Sequence, residues 1–420
     1  MAVINFRRPG TSAPRSDMSG DNQRQQEGQR PETSGERAQR ANYVKQIRSH
    51  RLAVFLRAVL LLGSTAAIIA LIVVQLNNRT FTEASFVRVS DITALESTSY
   101  LELNGRILAY SKDGASCIDT RGNVLWNITY EMQQPIVALC GGVAAIGDYG
   151  GSSVYVMDTA GQLGTIQTDL PVYSLAVAEN GTVAAVLTDT DATWVNMFDV
   201  NGNLIEEAKM TMGQMGYPLS ISVSPSGELL CVSHLQVDSA SVKTSVAFYN
   251  FGAVGQNYSD NCVSGFDYAN EVVPYVQFID NETAFAVSDS RIAFFNGREI
   301  PQNGTNNMFA DQLEGVYYDG SYVALVFPDT TGEYKYRLDL YNTAGSKASS
   351  FGFDLDYTNL QIEGDRILIY NAQECQIYST SGTQKFAGEF GRTVSLLIPS
   401  ARSNVLTVIT DGNIETMTLQ

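Results

Sequence analysis

Histidine is almost absent from this chain: His50 and His234 are the only two in 420 residues. A Ser–His–acid or Cys–His nucleophile would have to use one of them, and no Gly-x-Ser-x-Gly elbow occurs. The same scarcity argues against His-based metal catalysis. Cysteine is sparse and scattered, as Cys117, Cys140, Cys231, Cys262 and Cys375, with no CxxC pair. Such spacing fits neither a zinc site nor a disulfide framework, and all but Cys262 sit in apolar strand-like runs where buried, inert thiols are expected. Tryptophan is limited to Trp126 and Trp194. Basic residues are scarce in most of the chain, whose net charge is −17.

That charge is unevenly placed. Residues 1–51 hold ten Lys or Arg against five acids, a net +5, and Arg57 adds one more, so the remainder carries −23. An acidic excess of this size argues against nucleic acid and anionic lipid as partners of the larger part.

A single long apolar run interrupts the polar sequence. Leu52–Leu76 carries no charge from Ala58 onward, and 19 helical residues rise roughly 28 Å, about one bilayer core. Only a helix satisfies its own backbone in such a medium. Arg57 can snorkel to the headgroups. Positive charge before a first span is retained in the cytoplasm, which predicts tail in and large domain out. The leader is too long and too charged for a cleaved signal peptide, so the run reads as an uncleaved signal-anchor. Residues 1–40 have almost no aliphatic side chains after Phe6 and are expected to be disordered. Residues 41–51 read as a basic juxtamembrane helix, 52–76 as the transmembrane helix, and 80–420 as an extracytoplasmic domain.

Beyond Asn77 helical periodicity gives way to short β-branched and aromatic runs between Gly, Asn and Asp turns. One unit recurs: an apolar pair, a polar turn with Gly, then another strand. Examples are Cys117-Ile-Asp-Thr-Arg-Gly-Asn-Val-Leu-Trp126 and Met197-Phe-Asp-Val-Asn-Gly-Asn-Leu204. Between Asp119, Asp158, Asp199, Asn250, Asn296, Asn342 and Ser379 the spacings are 39, 41, 51, 46, 46 and 37 residues. That is the period of a four-stranded propeller blade, with these turns joining its third and fourth strands. Pro135, Pro171, Pro218 and Pro274 each precede an apolar run and mark the start of an innermost strand. Three strands follow the seventh turn (393–399, 405–410, 414–419), and Phe86–Val89 supplies a fourth. The expected fold is an all-β, eight-bladed propeller closed by strands from both ends, with seven blades as the alternative.

Three stretches carry a resemblance to a known family: Leu108-Ala-Tyr-Ser-Lys-Asp-Gly-Ala-Ser116, Leu125-Trp-Asn-Ile-Thr-Tyr-Glu-Met-Gln-Gln-Pro-Ile136 and Val246-Ala-Phe-Tyr-Asn-Phe-Gly-Ala-Val-Gly-Gln256. They resemble the membrane-anchored propeller proteins of clostridia-type Gram-positive bacteria, known as a domain of unknown function. The resemblance implies an envelope location and a ring related in shape to quinoprotein and WD-type propellers. It implies no catalytic residue. Quinoprotein chemistry needs adjacent cysteines and an aromatic platform, which this chain lacks, and shape alone confers no activity.

No catalytic, cofactor or metal residue is therefore expected. The candidate site is a rim patch on three segments read as loops, 210–217, 258–270 and 236–245, with Met212, Gln214, Met215, Tyr217, Tyr258, Phe266, Asp267 and Tyr268 as its binding residues. Opposed to this is the reading that these side chains fold back over the core. Function is expected to be a protein- or ligand-binding platform whose partner is an envelope protein or a wall-associated ligand. The alternatives are a sensor coupled to the cytoplasmic tail, or a carboxylate-based hydrolase at the central channel. A polar channel mouth with a perturbed carboxyl would favour the hydrolase.

Overall fold

The computed structural model describes residues 34–77, 79–91, 97–190, 192–210, 216–238, 241–410 and 412–420. The chain divides into two units at Asn77.

The first unit is one helix, Ser34–Asn77. It begins seven residues before the expected boundary at 41; residues 1–33 lie outside the described residues. Glu36, Arg37, Ala38, Gln39 and Arg40 are all strong helix formers, and propensity alone extends the helix where no core is buried. Leu52–Ile69 is long and apolar enough to cross a membrane, and none of it is buried against protein. A signal sequence meets the same test. Ser64 and Thr65 turn their hydroxyls onto the Leu61 carbonyl at 2.9 and 3.0 Å, so the run's own backbone satisfies them.

The second unit is an eight-bladed β-propeller. It consists of eight sheets of four antiparallel strands, seven built from consecutive strands. Blades 1 to 7 cover residues 99–129, 135–167, 172–210, 217–269, 275–308, 315–353 and 359–389. Blade 8 takes Val394–Pro399, Val405–Thr410 and Asn413–Leu419 from the C-terminus and its outer strand, Ala84–Asp91, from the other end. Phe86 pairs with Met417 and Ala84 with Leu419. The ring thus closes as the sequence predicts.

The core is a set of eight similar layers, one between each pair of neighbouring blades. Leu108, Ala144 and Ile146 fill the layer between blades 1 and 2. Ile107, Ile118, Leu396, Ile409 and Ile414 fill the one that joins blade 8 back to blade 1. Alternation along each strand sends successive side chains into the layers on either side, so middle strands such as Val143–Asp148 are apolar up to their last residue. All seven Asp, Asn or Ser turns join third to fourth strands. Asp199 is typical: its Oδ1 accepts from the amides of Asn201 and Asn203, both at 2.9 Å, and Gly202 takes φ +84° to close the turn.

One blade departs from the expected layout. Gln236–Ser245 is not a loop: the second and third strands of blade 4, Leu229–Asp238 and Ser241–Asn250, run ten residues each and stay paired to Asp238↔Ser241. Nor is 258–270 a single loop. Tyr258 lies in the connection between third and fourth strands, and Cys262–Ala269 is the outer strand itself.

Candidate functional site

Antiparallel winding puts the first-to-second and third-to-fourth turns at one end of the ring and the other two kinds of link at the opposite end. This separates the expected rim patch. Tyr217 begins the inner strand of blade 4 at one end, whereas Tyr258 lies at the other. Phe266 packs its ring 5.0 Å from Phe295 and 6.3 Å from Phe248, and Tyr268 is buried beneath the Arg291 guanidinium. These two fold over the core. Asp267 is exposed, bound to Lys243 Nζ at 2.8 Å and Ser245 Oγ at 2.5 Å, and those bonds hold its carboxyl below the usual range. Phe266, Asp267 and Tyr268 together wall a groove of about 500 Å³ between blades 4 and 5. Met212, Gln214 and Met215 lie outside the described residues.

Tyr217 belongs to a different group, one that the sequence does not reveal. Its ring stands 6.3 Å from Tyr173, edge to face, and Tyr173 stands 5.6 Å from Tyr149. The three come from blades 4, 3 and 2 at the same end of the channel. Partial burial, then the Tyr173 hydroxyl, raise the pKa of Tyr217.

The larger feature is at the other end. Inner strands surround the axis, and where they turn into second strands they open as a funnel of about 1240 Å³. All eight blades line it: Glu102 and Asn104 from blade 1, Cys140 and Asp158 from blade 2, Glu179 from blade 3 and Pro225 from blade 4. Blade 5 adds Gln277, blade 6 Tyr317, Tyr318 and Asp319, blade 7 Gln361 and Glu363, and blade 8 Ile398. Among the described residues, five carboxylates and no Lys, Arg or His line this wall. No sequence neighbourhood contains it, because ring closure alone assembles it.

Local geometry fixes several of these groups. Asp319 Oδ1 accepts from the amides of Ser321 at 2.8 Å and Tyr322 at 2.7 Å. Gly141 leaves the space that Glu179 occupies: a Cβ there would stand 2.6 Å from the Glu179 Oε1. Burial, then the charge of Glu102, raise the Glu363 carboxyl; Arg366 opposes this in part and Asp319 adds to it. Burial and the Glu179 charge push the Cys140 thiol up to about 11, so at neutral pH it is protonated and a poor nucleophile. Burial also lifts the Tyr318 phenol to about 12. Among the described residues no three His, Cys, Asp or Glu side chains are grouped to hold a metal ion. The funnel's carboxylates therefore act as separated points of charge.

The cysteines among the described residues are free thiols; Cys117, Cys231 and Cys375 are buried, while Cys140 is half-buried, packed against the layer between blades 2 and 3 and lining the funnel. His234 is away from the funnel. It is 2 % exposed, with Nε2 3.3 Å from the Tyr249 hydroxyl and Nδ1 without a partner, and burial lowers its pKa to about 4. That is a packed neutral imidazole.

Residues 77–419 match the family described as "Family of unknown function (DUF5711)". The chain belongs to that family. No curated protein matches it in sequence. Solved structures resemble this DUF5711 ring in fold at low identity. BamB from Moraxella catarrhalis is 12 % identical, with TM-score 0.46, over 80 % of this chain and all of that one. The computationally designed Ika8 protein is 12 % identical at TM-score 0.50, over 79 % of this chain and 99 % of its own. A eukaryotic initiation factor gives the same identity and TM-score over 79 % and 88 %. At this identity the DUF5711 chain shares a fold with the two at TM-score 0.50, and nothing of their activities follows.

Proposed function

We propose that this protein is a single-pass membrane protein, with residues 1–51 in the cytoplasm and the propeller outside, whose ring is a binding platform for a cationic ligand seated in the axial funnel. The observation that carries the binding reading is the funnel: eight blades converge on one polar cavity with five acidic side chains and, among the described residues, no basic one. Low-dielectric walls focus such a field and concentrate counter-charge. Because the carboxylates are not grouped as metal ligands, an organic cation with spaced ammonium groups fits better than a bare divalent ion. Tyr317 and Tyr318 add aromatic faces of the kind cations favour. The charge asymmetry around Leu52–Leu76 supports the orientation.

Calorimetric titration of the full-length protein in detergent with spermine tests the binding reading. Binding that weakens at least tenfold in Glu102→Gln/Glu363→Gln supports it; no heat, or equal binding by that variant, sinks it. Protease digestion of a C-terminal epitope in intact cells tests the orientation separately.

A second reading rests on Glu363. An acid with a raised pKa beside the carboxylates Glu102 and Asp319 is an arrangement suited to acid-catalysed hydrolysis. Turnover of glycoside substrates abolished by Glu363→Gln would favour it, and no turnover of a broad substrate panel would remove it.

A further inference from the structure

Among the described residues, the outer strand of every blade has one edge without a neighbouring strand. Such edges invite pairing, and charges or glycines within them discourage it. Seven of the eight outer strands contain at least one charged residue or glycine. The exception is Val124–Thr129 of blade 1, with the sequence VLWNIT. It pairs with Gly114–Ile118 along one edge only. Val124 and Leu125 are 60 % and 44 % exposed.

We propose that this strand is a homodimer interface, pairing antiparallel with the same strand of a second copy. The occupant follows from charge. A second copy is repelled by most of a domain carrying −23; three outer strands are uncharged, and of these Val124–Thr129 alone lacks a glycine, so it is the neutral strip best suited to strand pairing. Symmetry then supplies attraction. An isologous antiparallel pair must place one residue opposite its own copy on the two-fold axis. With Trp126 there, Leu125 faces the copy's Asn127, Val124 faces Ile128, and the exposed Arg121 reaches the copy's exposed Glu131. The same contact repeats at the other end of the strand, so the dimer closes with two cross-copy ion pairs. A lipid surface is the weaker occupant for the exposed aliphatics, because the acidic domain is repelled by anionic headgroups.

The dimer also gives a one-helix protein a route between ring and tail, since two copies can change their mutual arrangement where one cannot.

The test is the mass of the full-length protein in detergent by light scattering, followed over a dilution series. The native chain is expected to be a dimer. Leu125→Lys, a change at an exposed position, is expected to weaken it at least tenfold without altering the circular dichroism or melting temperature. Arg121→Glu is expected to weaken it similarly, and Arg121→Glu/Glu131→Arg to restore it within threefold. A monomeric native protein overturns the proposal. So does a dimer unchanged by Leu125→Lys, or a charge swap that fails to rescue. Loss of binding to anionic vesicles in Leu125→Lys, with no change in protein mass, would assign the strip to lipid and overturn it too.

Discussion

The indole Nε1 of Trp126, on the outer strand of blade 1, donates to the backbone carbonyl of Asp158 in blade 2 at 2.8 Å. This bond ties two neighbouring blades at their periphery, where the apolar layer between them thins out. Trp126→Phe keeps most of the ring's contacts and leaves the Asp158 carbonyl without that donor. The expected loss is about 1–2 kcal/mol in urea unfolding, and Trp126→Ala should lose more.

Closure of the ring makes a second prediction. Phe86 lies edge-on to Phe390 at 6.5 Å, and the Arg392 guanidinium sits 4.3 Å from its ring centre. Phe86→Ala removes both contacts from the layer between blades 7 and 8, at a cost of about 2–4 kcal/mol for a partly buried aromatic. The sharper readout is hydrogen exchange. Protection should fall in Asn413–Leu419, the strand that Ala84–Asp91 covers, before it falls in blades 2 to 6.

His234 predicts a pH dependence with a definite sign. Its pKa is about 4 in the folded ring and near 6.5 in an unfolded chain. Between those values the unfolded chain holds the extra proton, so stability rises with pH there. The protein is therefore expected to keep its full margin above about pH 6.5 and to lose it progressively down to about pH 4. Roughly 2.5 units at about 1.36 kcal/mol each gives about 3 kcal/mol. Denaturant midpoints across this range should show the slope, and His234→Leu should flatten it.

Gly141 and Glu179 couple the backbone to the funnel wall. A methyl group at Gly141 would press on the Glu179 carboxylate, and φ +54° there disfavours a side chain as well. Gly141→Ala should displace Glu179 from the funnel wall and weaken spermine binding about as much as Glu179→Gln does. Gly164→Ala is the contrasting case. Its Cβ would collide with the Val200 carbonyl, backbone that cannot swing aside, so stability should fall by more than about 2 kcal/mol.

The blade plan was legible because its signal is local. An Asp or Asn that bonds the amides of its own turn and a glycine at positive φ need only a few adjacent residues, so seven turns show the period by themselves. The closing strand followed from counting, since three strands after Ser379 need a fourth. The extended arms of blade 4 were not legible. Gln236–Ser245 reads as a loop because its sequence, QVDSASVKTS, lacks the usual alternation of apolar and polar residues. Phe266 and Tyr268 misled for the opposite reason: aromatics beside Gly265 and Asp267 suggest a surface loop, and only the layer between blades 4 and 5 shows where they point. The funnel could not be read from any segment. Glu102, Glu179, Asp319 and Glu363 are separated by dozens of residues, and the one trace each leaves is an acid beside a first-to-second turn.

The last strand to find its place in this ring is the first to be made. Ala84–Asp91 pairs with Asn413–Leu419, so some three hundred residues must be synthesised before its partner exists. At roughly 5–20 residues per second, that leaves it unpaired for tens of seconds, beside a growing row of unfinished blades. Pausing of the ribosome before Asn413–Leu419 is made, or deletion of that strand, would therefore leave an open ring with two sticky ends. The ring's biogenesis is thus most vulnerable in its closing moments.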